Sequence, residues 1–64
     1  MKAKYSKFET LLKNSGITAY KVEKDLNIST STFYEWKVGN YTPKIDKLQK
    51  VAEYFHVPVD YFLK

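Results

Sequence analysis

The stretch from Thr18 to Gly39, TAYKVEKDLNISTSTFYEWKVG, constrains the fold of this chain more than any other. It reads as two short helices joined by a tight turn. At about 100° per residue, Phe33 and Trp36 project from one side of the second helix, while Ser31, Tyr34 and Glu35 project from the other. Thr30 and Thr32 stand at the edges between the two faces. Phe33 and Trp36 are therefore core anchors, and the opposite face is left free for contact. Ser29 precedes the periodic run, where its hydroxyl can accept the backbone N–H two or three residues on. Asn27 is one of the few non-glycine residues that tolerate a left-handed backbone, so Leu26-Asn27-Ile28 can reverse direction between two apolar anchors. Thr18 is a second N-cap candidate, and Val22 with Leu26 forms a buried pair on the first helix.

The flanks complete an all-α pattern. Tyr5, Phe8, Leu11 and Leu12 form the apolar stripe of a first helix, with Ser6 and Glu9 at capping-box spacing, although a start one turn earlier is open. Asn14-Ser15-Gly16 is its stop, with Gly16 able to take positive φ. After the loop Asn40-Tyr41-Thr42, the pair Thr42-Pro43 predicts a helix start, because proline lacks only an N–H that the first helical position cannot use. Ile45, Leu48, Val51, Ala52 and Phe55 then form the inner stripe, and Asp46, Lys47, Lys50 and Glu53 the wet one. Pro58 ends that helix and opens a short fifth one through Leu63. Two consecutive helices with a short turn and a polar outer face make a helix-turn-helix.

In order and spacing, residues 16–63 resemble the phage-repressor and Cro-like (XRE-type) helix-turn-helix family. The resemblance rests on Gly16-Ile17-Thr18, Val22 with Leu26, Ile28-Ser29, Thr32-Phe33, Trp36 with Gly39, Pro43, Leu48, Val51-Ala52 and the run Val57-Pro58-Val59-Asp60-Tyr61-Phe62-Leu63. It implies a compact five-helix, lambda-repressor-like domain spanning residues 1–64, either alone or as the N-terminal domain of a longer repressor. It also implies a transcriptional regulator of a phage or bacterium that binds double-stranded operator DNA with an inverted repeat. On this resemblance the chain is a homodimer pairing near residues 56–63, with the helix after Ser29 in the major groove. Base contacts are then expected from Thr30, Ser31, Tyr34 and Glu35. Phosphate contacts are expected from Thr18, Ala19 through its backbone, Tyr20, Thr32, Asn40, Tyr41 and Lys44.

Three departures from that family's pattern involve four positions. Leu12 and Lys37 stand where an arginine and a glutamate often pair, a joint loss that is physically sensible because a lone buried charge is costly. Asn27 replaces a glycine. Glu23 replaces a small alanine where two helices approach, which leaves two arrangements open: helices set apart or rotated, or a lysine partner for the carboxylate.

Composition bounds the remaining readings. A chain of 64 residues has room for one small core. It has no cysteine, hence no disulfide or thiolate zinc site, which fits a reducing cytoplasm. No apolar run reaches the ~18 residues of a membrane span, and the polar start Met1-Lys2-Ala3-Lys4 leads into no signal-peptide segment. A cytoplasmic protein, nucleoid-associated when bound to DNA, is expected. The net charge of +4 suits a polyanion, and all 11 basic residues are lysines, so phosphate attraction is diffuse and arginine's guanine-reading fork is absent. The single histidine, His56, has no cluster around it for metal or nucleophile chemistry, and neither glycine belongs to a phosphate-cradling loop. No catalytic residue, metal, cofactor or small-molecule ligand is expected. A second function class stays open: a protein-interaction module, antitoxin-like or anti-repressor-binding, using the tyrosines Tyr20, Tyr34, Tyr41, Tyr54 and Tyr61.

Overall fold

Four helices form where the apolar stripes predict them, in a computed structural model that describes residues 3–64. Met1 and Lys2, the first half of the polar start, lie outside the described residues. The helices are α1 (Tyr5–Ser15), α2 (Ala19–Leu26), α3 (Thr30–Val38) and α4 (Ile45–Tyr54), followed by the segment Val59–Leu63. That last segment is a 3₁₀ turn rather than a fifth α-helix. Five residues behind Pro58 are too few to repeat an α-helical bond pattern, and the tighter i→i+3 bond from the Tyr61 N–H to the Pro58 carbonyl, at 3.0 Å, takes its place.

Every α-helix ends with the same device. The residue after the helix, or one further on, takes a left-handed backbone: Gly16 (φ 68°), Asn27 (φ 57°), Gly39 (φ 87°) and His56 (φ 59°). Its N–H and the next one bond back to the last turn. At α2 these bonds run from Asn27 to Lys24 (3.4 Å) and from Ile28 to Glu23 (2.9 Å). At α4 they run from His56 to Glu53 (3.2 Å) and from Val57 to Ala52 (2.9 Å), the paired pattern of a Schellman motif. Asn27 thus does what the missing glycine would do.

Helix starts divide into two kinds. Thr18 and Ser29 cap as their sequence suggests, each side chain accepting a backbone N–H at 3.3 Å, from Lys21 and Thr32 respectively. The other two starts differ from expectation. α1 begins at Tyr5, ahead of Ser6, with no side-chain cap on Lys4. Its position is set from across the chain, since the Lys4 N–H donates to the Phe62 carbonyl at 2.8 Å. α4 begins at Ile45, two residues beyond Pro43, again without a side-chain cap. Pro43 is buried and Lys44 is extended, so Thr42 to Lys44 spends its length reaching the core. For the same reason Ile45, expected on the inner stripe, is 58% exposed: α4 enters the core only at Leu48.

The core gathers Phe8, Leu11, Val22, Phe33, Trp36, Leu48, Val51, Ala52 and Phe62. Leu26 is half-buried and packs against this cluster. Phe8 is fully buried at its centre, with the rings of Phe33 at 4.9 Å, Tyr5 at 5.5 Å, Trp36 at 5.6 Å and Phe55 at 6.1 Å. Such aromatic pairs contribute about 0.5–1.5 kcal/mol each beyond area burial. That density suits a chain whose core is necessarily small. Leu12 packs on the cluster and Lys37 is exposed, so the apolar replacement of the family's ion pair leaves no stranded charge there.

Candidate nucleic-acid interface

α3 is a short helix held hard on one side and open on the other. Phe33 stacks on Phe8 with 12° between the ring planes. Trp36 lies among Tyr5, Phe8 and Phe62, and its indole N–H donates to the Ala3 carbonyl at 3.1 Å in a buried bond. No local pattern could reveal that last bond, since its partners are 33 residues apart. On the far side Thr30, Ser31 and Tyr34 are exposed and Glu35 is half-buried. Tyr34 shows 61% of its surface. On that face the exposed Ser31 and Tyr34 are free to meet a ligand.

Ser31, Thr32, Glu35 and Tyr41 line a shallow groove of about 230 Å³. At its edge the Asn40 amide donates to a Glu35 carboxylate oxygen at 3.1 Å. The fold therefore brings part of the expected base-contacting set together with part of the expected phosphate-contacting set. Thr32 and Ser29 hydroxyls lie 3.0 Å apart, so Thr32 is also engaged in the start of α3. Thr18 caps α2, Ala19 is half-buried, and Tyr20 is 66% exposed with the Lys24 ammonium 5.9 Å from its ring. Lys44 is exposed at the start of α4. None of these four lines the groove.

Glu23 does not find the lysine partner that its sequence position left open. It is buried on α2, and its carboxylate accepts the Thr30 hydroxyl proton at 2.9 Å, so its partner is α3 itself and no lysine. No buried side-chain nitrogen or oxygen among the described residues lacks a hydrogen-bond partner. Burial, with smaller contributions from the Glu9 and Glu23 carboxylates, holds the Tyr5 hydroxyl above the usual tyrosine range.

Lys21 is paired. Its ammonium donates to Asp25 at 3.2 Å, and the Tyr54 hydroxyl donates to the same carboxylate oxygen at 2.6 Å, linking α4 to α2. The Tyr54 hydrogen bond, reinforced by Lys21, holds Asp25 below the usual carboxylate range. The reciprocal bonds raise both Tyr54 and Lys21. His56 is exposed and serves as the left-handed end of α4. Among the described residues no group of three or more histidines and carboxylates is placed to hold a metal ion, and no helix is long and apolar enough to cross a membrane.

A capped, rigidly docked second helix with an exposed polar face, carried on a two-helix turn, defines a helix-turn-helix DNA-binding module. The profile of the helix-turn-helix family matches residues 8–62, and the chain belongs to that family in its Cro/C1-like, XRE-type branch. It is a DNA-binding transcription regulator of that type. No curated protein and no solved structure matches the chain significantly.

Proposed function

We propose that the chain is a repressor that acts in the cytoplasm as a homodimer, on an operator built of two inverted half-sites about one helical turn apart. The observation that carries this reading is the exposed face of α3, which continues into the groove bordered by Tyr41. With α3 in the major groove, Ser31 offers a hydroxyl that donates to or accepts from several base edges, and Glu35 accepts from cytosine N4. Tyr34 lies beside them, and Thr30 stands at the N-terminal edge of the same face with its methyl able to meet thymine. Glu35 also repels phosphate, so it discriminates partly by excluding wrong sites. Backbone groups at the start of α2 and the side chains of Thr18, Tyr20, Thr32, Asn40, Tyr41 and Lys44 contact the phosphates on either side of the DNA major groove, which positions the protein without reading sequence. One recognition helix makes few base contacts, so pairing through residues 56–63 supplies the missing affinity.

Fluorescence anisotropy of the chain against duplexes from the DNA around its own gene, at two salt concentrations, tests this. Saturable binding to one inverted repeat that weakens steeply with salt is expected, and the Ser31→Ala, Glu35→Ala double variant should lose the preference for that repeat over scrambled DNA. An unchanged preference would refute the base-contact assignment. Weak, uniform binding to every duplex would favour a protein partner for the face carrying Tyr20 and Tyr34.

A further inference from the structure

Glu23 is the only buried charged residue among those described, and it acts at the joint between α2 and α3. Its backbone carbonyl accepts the Ile28 N–H at 2.9 Å, closing the turn after α2. Its side chain accepts the hydroxyl proton of Thr30, the first residue of α3, at 2.9 Å. One residue thereby fixes both the turn and the entry of the recognition helix.

Resting on the reading that α3 enters the major groove, we propose that Glu23 is a positioning residue for base recognition, and that the Thr30 hydroxyl works inside the protein instead of reading a base. A threonine hydroxyl has a single proton to give. Here it goes to a buried carboxylate, and withdrawing it toward a base would leave that carboxylate without its partner, which is costly. Threonine is also stiff at χ1, so the rotamer that reaches Glu23 fixes the methyl as well. Readout then falls to Ser31, Tyr34 and Glu35, whose orientation over the base edges depends on the Glu23–Thr30 bond. The Thr30 hydroxyl contributes to affinity at every base pair alike, through the angle at which α3 is presented.

The test is selection by the 64-residue chain from a pool of duplexes with a randomised centre, run for the parent and for Thr30→Val, Thr30→Ser and Glu23→Gln. Thr30→Val should enrich the parental motif unchanged at every position while binding it roughly fivefold more weakly, the size of one lost hydrogen bond. Thr30→Ser and Glu23→Gln keep the hydroxyl donor and the carbonyl acceptor, and should bind within about twofold of the parent. If Thr30→Val relaxes the preference at one base pair and leaves the others sharp, Thr30 reads a base and the proposal falls. A parent that enriches no motif overturns instead the DNA reading on which the proposal stands. The bond itself is tested without DNA by urea unfolding of Thr30→Val, Glu23→Ala and their double variant. The two losses should be strongly non-additive, because each removes the same bond, and simple additivity would overturn the assignment.

Discussion

Asp25 joins two helices through contacts that titrate in opposite directions. It accepts from Lys21 within α2 and from Tyr54 on α4, and both donors help to hold it ionised. A carboxylate whose folded value is depressed stabilises the fold above its unfolded value, and that contribution is lost as pH falls through the depressed one. Tyr54 is raised, so its contribution is complete below the ordinary tyrosine value and is lost as pH climbs through the raised one. The site is open to solvent, with the Lys21 and Asp25 side chains 59% and 39% exposed, so the effect is small. Urea unfolding of the parent and of Tyr54→Phe across the pH range should show the parent ahead by a steady margin through neutral pH. The margin should narrow in acid below the usual carboxylate range and again in alkali above the usual tyrosine range. A margin that stays flat at both extremes would mean that the hydroxyl stabilises nothing through Asp25.

The four helix ends share one geometry but carry three residue types at the left-handed position, and this makes a controlled comparison within one molecule. At Gly16 and Gly39 a β-carbon would meet nothing within 4 Å, so any cost of adding one is conformational and not steric. Gly39→Ala should therefore destabilise by about 1 kcal/mol, the left-handed penalty of an ordinary L-residue. His56 already bears that penalty at φ 59° with its side chain exposed. Relief of the strain outweighs the extra freedom that glycine adds to the unfolded chain, so His56→Gly should stabilise by up to about 1 kcal/mol. Asn27→Gly should gain less, because asparagine tolerates this region better. Thermal unfolding of the three variants gives the order directly, and a destabilised His56→Gly would show that the imidazole makes contacts that matter more than its backbone. The ends at Gly16 and Asn27 were legible in the sequence, as were the caps Thr18 and Ser29, because each is decided by residues a few places apart, whereas nothing in the residue type marked His56 as left-handed. The starts of α1 and α4 were not, because Phe62 holds Lys4 from across the fold and the burial of Pro43 draws Thr42 to Lys44 out extended before α4 can begin.

Across the whole molecule, what the sequence conceals is the choice of distant partners. Periodicity placed Trp36 in the core but could not show that its N–H reaches Ala3, or that Lys4 meets the far end of the chain through the Phe62 and Lys64 carbonyls. The candidate site was legible as the outer face of α3, while Glu23 became intelligible only once Thr30 was beside it. Charge follows the same logic. A net +4 made only of lysines says that DNA is attracted, but the fold decides which lysines remain available. Lys21 is paired with Asp25 in the one salt bridge among the described residues, whereas Lys44 stands exposed where α4 begins. A lysine that sits on a phosphate displaces a condensed counterion, whereas one that only adds to the long-range field is screened within a Debye length of about 8–10 Å. Lys44→Ala should accordingly lower the slope of log affinity against log salt by about 1 and weaken cognate and scrambled duplexes alike. Lys13→Ala, at the far end of α1 and outside the proposed contacts, should leave the slope close to the parent's. Anisotropy titrations at several salt concentrations separate the two. If both variants lower the slope equally, the lysines act as a diffuse cloud and Lys44 holds no particular phosphate.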